Sequence, residues 1–381
     1  MRLAWAPTLW GTMDIYGLST METLNGAFYE CERACLWKDS AQRYRANLLA
    51  NNLRLQRDLR GGTYAPGATN DFTISERGKV RQIRAPAMRD RIVQKALMRK
   101  VLLPQVVPHL IYDNYASLKG RGTSFARKRL DIMLQRHVRE HGSDGFVVLA
   151  DVHDYFGSVD HATLKSQLRG MLDVPDDVMG LIGLTIDAPV PGPRGINLGS
   201  ECPQIYAVEY LNPVDQYVKC VLGTPSYGRY MDDMVSIAAD RAEADATMSA
   251  IRSQTAMLGL DLNGRKSHVT PLSDGFTFMQ IRYSVDGTKV IKRPTRQKVA
   301  RIRSRMRAHR RLVDDGRMTA RAARECYMTS RGQLIAECNR VQRTLESLDA
   351  LADELFPPEP PRRRPGRDEI IDRAFKEMRM G

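Results

Sequence analysis

The chain has 381 residues, with 58 Lys and Arg against 44 Asp and Glu, a formal charge of +14 at pH 7. That length is enough for two or three subdomains with a sizeable core, and the positive excess suits a polyanionic partner. No apolar run approaches the roughly 18 residues of a membrane span, and the opening Met1-Arg2-Leu3-Ala4-Trp5-Ala6-Pro7 lacks the apolar stretch of a signal peptide, so a cytoplasmic protein with no membrane partner is expected.

Residues 1–20 read as irregular, with Met13 an alternative start. Residues 21–60 carry Phe28, Leu36, Tyr44, Leu48, Leu49, Leu53 and Leu59 at roughly helical intervals, then turn at Gly61-Gly62. Cys31 and Cys35 share one helical face, and packing is favoured there over a ligand pair. None of the six cysteines has paired metal spacing, and free thiols suit a cytoplasmic protein. Two short strands flank Arg77-Gly78, a hairpin signal, and Lys79 and Arg81 at i and i+2 point to one face of the second strand. They read either as a charged edge that resists aggregation or as a phosphate contact. A helix follows from Met88 to about Leu103, ended by Pro104. Arg91 on it serves either a nucleic acid or the neighbourhood of Asp90. Lys119-Gly120-Arg121-Gly122 sets basic residues beside glycines, where a backbone can approach phosphates, and opens a basic helix from Ser124 to His141.

Gly145-Phe146-Val147-Val148-Leu149-Ala150-Asp151 is a short apolar run ending in an acid, read as a buried strand with Asp151 at its end. Ser158 to His161 caps a helix over about 162–172. The Pro- and Gly-rich residues 185–195 form a loop, and Pro203 fits the first turn of the helix that runs to Asn212. Ser226-Tyr227-Gly228-Arg229-Tyr230-Met231-Asp232-Asp233-Met234-Val235-Ser236-Ile237 reads as a β-hairpin whose turn carries the adjacent aspartates. That pair is either a polar hairpin tip or half of a divalent-metal site completed by Asp151. Carboxylates from two neighbouring strands can hold two Mg²⁺ ions, which take oxygen ligands and leave positions for phosphates. A helix over 239–258 is next. Residues 292–314 read as an amphipathic basic helix, 319–351 as one or two more with Thr319 as N-cap, and 356–365 as a Pro/Arg-rich linker before a short helix over 368–380.

The apolar strand ending in Asp151, then Tyr155-Phe156, Ser158-Val159-Asp160-His161, and later Tyr230-Met231-Asp232-Asp233, resembles a reverse transcriptase over most of residues 40–315. Asp90-Arg91-Ile92-Val93-Gln94 is similar to the bacterial enzymes, including those of group II introns. The resemblance implies an α+β right-hand polymerase. An irregular segment covers 1–20, fingers with N-terminal helices 21–145, and a palm with an antiparallel sheet 146–283, with part of the fingers interleaved. A helical basic thumb covers 284–355, and a linker and helix 356–381.

The resemblance also implies roles. Asp151, Asp232 and Asp233 would be the catalytic acids, holding two Mg²⁺ with the Val152 carbonyl as a further ligand and Mn²⁺ as a substitute. Lys79 and Arg81 would bind the triphosphate of a deoxynucleotide. Phe156 would exclude a 2′-hydroxyl, with packing as the alternative. Gln204 would lie near the nascent pair, and Lys266 near the leaving phosphates. Arg91, Lys119, Arg121, Arg296, Arg303 and Arg307 would contact template or primer. Gly275 to Gln280 resembles the primer-grip hairpin, with Gln280 where the family usually has glycine. Leu198-Gly199 and Pro203-Gln204 depart from the family's usual Gln-Gly and Ser-Gln.

Those departures, and a chain with no room for a ribonuclease H or endonuclease after the thumb, point to a compact bacterial or phage enzyme, of a defence-associated lineage or a diversity-generating retroelement. The partners implied are a structured non-coding RNA template, a DNA product, deoxynucleotides, and an accessory protein or second copy. Two other classes stay open: an untemplated or protein-primed polymerase, and a catalytically inactive RNA-binding protein of the same fold.

Overall fold

The computed structural model describes residues 13–33, 35–76, 79–190, 192–197 and 199–357, without the side chains of 76 and 79. The expected C-terminal linker and helix, and most of the N-terminal segment, lie outside the described residues. The chain divides into two compact units, one running through Asp274 with 287–289, the other made of 275–286 and the chain from Val290 onward.

The first unit opens on α1 (Ile15–Leu18), where irregular chain is expected. Asp14 caps it by accepting from the Gly17 N–H at 2.8 Å. The helical stretch to residue 60 is three helices, α2 (Met21–Arg33), α3 (Asp39–Ala46) and α4 (Leu48–Arg60). Leu24, Phe28, Leu55 and Leu59 enter the core, whereas Leu36, Leu49 and Leu53 stay exposed. Cys31 and Cys35 are buried, with the Cys35 thiol on the Cys31 carbonyl at 3.1 Å, and burial pushes the Cys31 thiol up to about 11. Strands β1 (Asn70–Glu76) and β2 (Lys79–Ala85) form the expected hairpin, with Ile74 opposite Arg81.

Helix α5 (Met88–Leu97) does not end at Pro104. It widens into a π-helical turn over Met98–Leu102 and continues as α6 (Leu103–Val106). The prolyl nitrogen lacks a donor, and here it falls near the start of a new turn, where none is required. Helix α7 (Thr123–His141) follows.

The central sheet has β3 (Phe146–Asp151), β4 (Tyr227–Tyr230), β5 (Asp233–Ala238) and β6 (His268–Pro271) in the order β4-β5-β3-β6, every neighbour antiparallel. Between β3 and β4 the chain forms α8 (Tyr155–Ser158), α9 (His161–Met171), α10 (Asp176–Asp187), α11 (Cys202–Tyr210) and α12 (Asn212–Gln216). Pro203 sits in the first turn of α11, as expected. Helix α13 (Arg241–Met257) packs across β3, β5 and β6, and α7 against β4 and β5.

The second unit holds a sheet of β7 (Phe276–Phe278), β8 (Ile281–Asp286) and β9 (Lys289–Pro294). Lys292 and Arg293, expected in a helix, lie on β9. Helix α14 (Arg296–Asp314) starts after Pro294, which cannot donate within a ladder, and Thr295 caps it by accepting from Lys298 N–H at 3.2 Å. Helices α15 (Ala320–Glu337), capped by Thr319, and α16 (Gln342–Leu355) complete a core around Met306, Tyr327, Leu334, Leu348 and Phe356. The turn between β7 and β8 carries Met279 and Gln280 at φ +48° and +65°. Gln280 accepts from Arg301 through its side chain at 2.9 Å and from Thr295 N–H through its carbonyl at 3.2 Å. These bonds tie the hairpin to the start of α14 where a glycine would turn without strain. The unit is a three-stranded sheet with three helices, and the two units together mix helices and sheets as an α+β chain. Among the described residues, no helix is long and apolar enough to cross a membrane.

Candidate active site

Strands β3 and β5 pair so that Asp151 lies directly opposite Asp233. Tyr230 pairs with Asp233, so the turn is Met231-Asp232 rather than the two aspartates. Asp233 is therefore the first residue of β5, and Asp232 projects from the turn beside it. Met231 holds φ +54°, a left-handed conformation that costs a side-chain-bearing residue about 1–2 kcal/mol. The Val152 N–H donates to the Asp232 carbonyl at 3.3 Å, and Val152 forms a β-bridge with Leu262.

The loop after α13 is stitched to the end of β3. The Asp151 carbonyl accepts from Asn263 N–H at 2.7 Å, the Asp151 N–H donates to Ser267 Oγ at 3.1 Å, and His153 N–H donates to the Asp261 carbonyl at 2.8 Å. These bonds deliver Lys266, whose Nζ donates to Asp151 Oδ1 at 2.6 Å. Lys266 thus belongs to the acid cluster.

The cluster carries more negative charge than it neutralises. Burial, then the neighbouring Asp232 and Asp151, push Asp233 up to about 7. Burial also raises Asp232, with Asp151 adding to it and Lys266 and Arg81 opposing. Burial works against the Lys266 ammonium, but the Asp151 hydrogen bond and the three carboxylates hold its pKa above the usual value. Among the described residues no three acidic, His or Cys side chains stand arranged to hold an ion as they are. Asp151 Oδ1 is instead held by Lys266. The three crowded carboxylates offer an all-oxygen donor set that fits a hard divalent cation, which would compete with the Lys266 ammonium for Asp151.

The hairpin rests on a buried ion pair that the sequence analysis missed. Arg229 and Asp215 are both fully buried. Arg229 Nε reaches Asp215 Oδ1 at 2.8 Å and Nη2 reaches Oδ2 at 2.6 Å, while Tyr227 Oη donates to the same carboxylate at 2.7 Å. Two further guanidinium donors go to the carbonyls of Val208 and Met231, each at 2.9 Å. The signal was present as a charged residue inside an otherwise uncharged strand. At Gly228 a Cβ would sit 1.9 Å from Tyr115 Oη, so only glycine lets Asp113 to Tyr115 close on the outer edge of β4. There Tyr115 N–H donates to the Arg229 carbonyl at 2.8 Å.

Glu209, on α11 near this pair, is raised to about 7 by burial, with Asn212 and Arg229 opposing the rise. An acid whose folded pKa is raised destabilises the fold progressively from its unfolded pKa up to its folded one. Glu209→Gln is therefore expected to be more stable than wild type by about 3 kcal/mol at pH 8, with the gap shrinking below about 1 kcal/mol at pH 5. Urea unfolding at the two pH values checks this, and a gap that does not change with pH refutes it.

Arg81, Arg91 and Gln204 line one cavity of about 540 Å³, together with Phe72, Ile74 and Lys95. Arg81 also lies within electrostatic reach of Asp232. Gln204 accepts from Ser117 Oγ at 3.4 Å. Asp90 is occupied by Tyr64 Oη at 2.8 Å and Gly67 N–H at 3.0 Å, while the Arg91 guanidinium contacts Cys35 Sγ at 3.7 Å. Gly199 lies against the Arg84 backbone, where a Cβ would meet the carbonyl at 2.2 Å, so that glycine joins the foot of β2 to the loop before α11. The Lys79 side chain lies outside the described residues.

Phe156 is half-buried on α8, its ring 5.5 Å from Tyr155 and its carbonyl accepting from Ile196 N–H at 2.8 Å. Lys119 is exposed beside Gly120. Arg121 donates to the carbonyls of Tyr112 and Asn114 and stacks 4.9 and 4.6 Å from the Tyr112 and Phe125 rings, bonds that order its own loop. In the second unit Arg296 and Arg307 are exposed, about three turns apart on α14, and Arg303 donates to Ser347 Oγ at 2.8 Å.

Comparison with solved structures finds telomerase from Candida albicans in complex with a TWJ fragment of telomeric RNA. It is 11% identical with TM-score 0.46, over 77% of this chain and 59% of that one. It also finds apo telomerase from Candida tropicalis truncated from the C-terminal domain, 12% identical with TM-score 0.44, over 64% and 60%. The chain thus spans about three-fifths of these telomerases. No curated protein sequence matches it. The family model described as "Reverse transcriptase (RNA-dependent DNA polymerase)" matches residues 69–283. Since that match takes in more than half of the chain, from the β1–β2 hairpin through Asp151 to the Tyr-Met-Asp-Asp turn and β8, the chain belongs to the reverse transcriptase family.

Proposed function

We propose that this protein copies an RNA template into DNA by nucleotidyl transfer, with Asp151, Asp232 and Asp233 as its metal-binding acids. The observation that carries this reading is the register that sets Asp151 opposite Asp233 with Asp232 on the adjoining turn. Asp151 and Asp232 would hold two Mg²⁺, with Mn²⁺ as a substitute and the Val152 carbonyl as a further ligand. Such ions make the primer 3′-hydroxyl more acidic and offset charge on the departing pyrophosphate.

The chain's own residues supply orientation and charge. Arg81, with Lys79, binds the triphosphate, and a guanidinium suits this through its fork of donors. Gln204 lines the same cavity and borders the nascent pair. Phe156 stands under the sugar. Lys266, freed from Asp151, neutralises the leaving phosphates. Arg91, Lys119 and Arg121 lie along the template path, and Arg296, Arg303 and Arg307 of the thumb hold the duplex by its phosphates. The chain is read as fingers (21–145), palm (146–283) and thumb (284–355). The biological setting proposed is a cytoplasmic bacterial antiphage system with a structured RNA template. A diversity-generating retroelement, working with an accessory protein, is the neighbouring possibility.

Primer extension on a defined RNA with labelled deoxynucleotides and Mg²⁺ tests the reading, wild type beside Asp232→Asn with Asp233→Asn. Template-copied DNA from the wild type alone is expected. Product indifferent to template points to untemplated or protein-primed synthesis, and equal activity in both proteins removes the hairpin from the chemistry. Arg81→Ala is expected to raise the KM for deoxynucleotides roughly tenfold, through loss of a charge-assisted phosphate contact. An unchanged KM in steady-state incorporation makes Arg81 an edge-strand charge only.

A further inference from the structure

We infer that Arg229, with Asp215 as its counter-ion, is a positioning residue that sets the direction of the Asp232 carboxylate by holding the carbonyl of Met231. The inference rests on the proposed role of Asp232 as a metal ligand.

Burying a guanidinium and a carboxylate costs both their hydration, and an apolar pair of similar volume usually packs at no loss of stability. Bulk stability is therefore a poor reason for this pair. Its donors point to another. The planar guanidinium bonds Asp215 on α12, Val208 on α11 and Met231 in the turn at the same time. It is a rigid bracket between the helices beside the sheet and the one residue of the hairpin in a left-handed conformation. A residue held at φ +54° persists only where its surroundings over-determine it. Met231 directly precedes Asp232, so rotation of the peptide that joins them re-aims the acid. The Val152 N–H on the Asp232 carbonyl holds the far side of that residue. Tyr227 bonds Asp215 Oδ1 and keeps the bracket's own anchor from rotating. A lysine ammonium in the same place could pair with Asp215 but could not span all three partners.

The test uses Arg229→Lys in the full chain, which keeps the buried charge pair. The protein is expected to melt cooperatively, a few degrees below wild type, because a buried carbonyl loses its donor. Its kcat for primer extension is expected to fall between about 10- and 100-fold, with the deoxynucleotide KM changed less than about twofold. Mn²⁺ affinity, measured by electron paramagnetic resonance, is expected to fall by a similar factor, a readout that works even where the wild type extends no primer. Adding Met231→Gly, which turns without strain and has less need of the bracket, is expected to recover at least about half of the lost kcat or Mn²⁺ affinity on a logarithmic scale.

Wild-type kcat and Mn²⁺ affinity in Arg229→Lys would overturn the inference. So would a loss that follows the unfolded fraction and is not rescued by Met231→Gly. If Asp232→Asn leaves both extension and Mn²⁺ binding unchanged, the metal-site reading itself fails, and the positioning role falls with it.

Discussion

Asp232→Asn is expected to lower template-directed primer extension by at least about a thousandfold while leaving the protein as stable as wild type or more so. The two effects have one cause. Burial and the neighbouring Asp151 raise the pKa of Asp232, so its charge opposes folding at neutral pH. An asparagine of the same shape removes that charge, and with it the ability to hold a divalent cation. A residue that only shaped the turn would behave the other way, losing stability and keeping chemistry. Primer extension beside thermal unfolding at pH 7.5 separates the two. Lower melting with activity retained would sink the assignment, because crowded like charges are tolerated only where something must be bound.

Phe156→Ala is expected to reduce the preference for deoxynucleotides over ribonucleotides by on the order of a hundredfold, with deoxynucleotide kcat/KM falling less than about tenfold. The ring sits on the short α8, just after β3 delivers Asp151, and the Phe156 carbonyl is fixed by Ile196. Removing the ring therefore opens space without moving the backbone. A 2′-hydroxyl excluded only by volume is admitted once that volume is free, and no other chemistry needs to change. Single-nucleotide incorporation with each class of substrate gives the ratio directly. A ratio equal to that of wild type would leave Phe156 as a packing partner of Tyr155.

Much of the architecture was legible locally. The strands flanking residues 77–78, the apolar run into Asp151 and the Thr319 cap each depend on neighbours in sequence, and each appears where expected, while the periodic basic helix forms over Arg296–Asp314, the later part of its expected span. Two helical expectations failed for tertiary reasons. Pro104 lies inside a continuing helix because a π turn reorders the donors around it, and Lys292 and Arg293 belong to β9 because β8 offers them a partner.

The sequence by itself determined the family, the two sources of carboxylate, and the strand–acid and hairpin patterns that carry them. Only the tertiary structure decided how those acids face each other. Residues Met234 to Ala238 of β5 are all buried, so alternation of polar and apolar residues could not set its register. The placement of Asp233 in the strand, rather than in the turn, comes from its pairing with Tyr230 of β4 and with Asp151 of the distant β3. Arg229 and Asp215, fourteen residues apart in sequence, meet only after α12 and β4 have docked. Lys266 reaches Asp151 only once its loop is bonded to the end of β3. Backbone pairing between distant segments, and the need to satisfy a buried charge, are properties of the folded chain that no local pattern encodes.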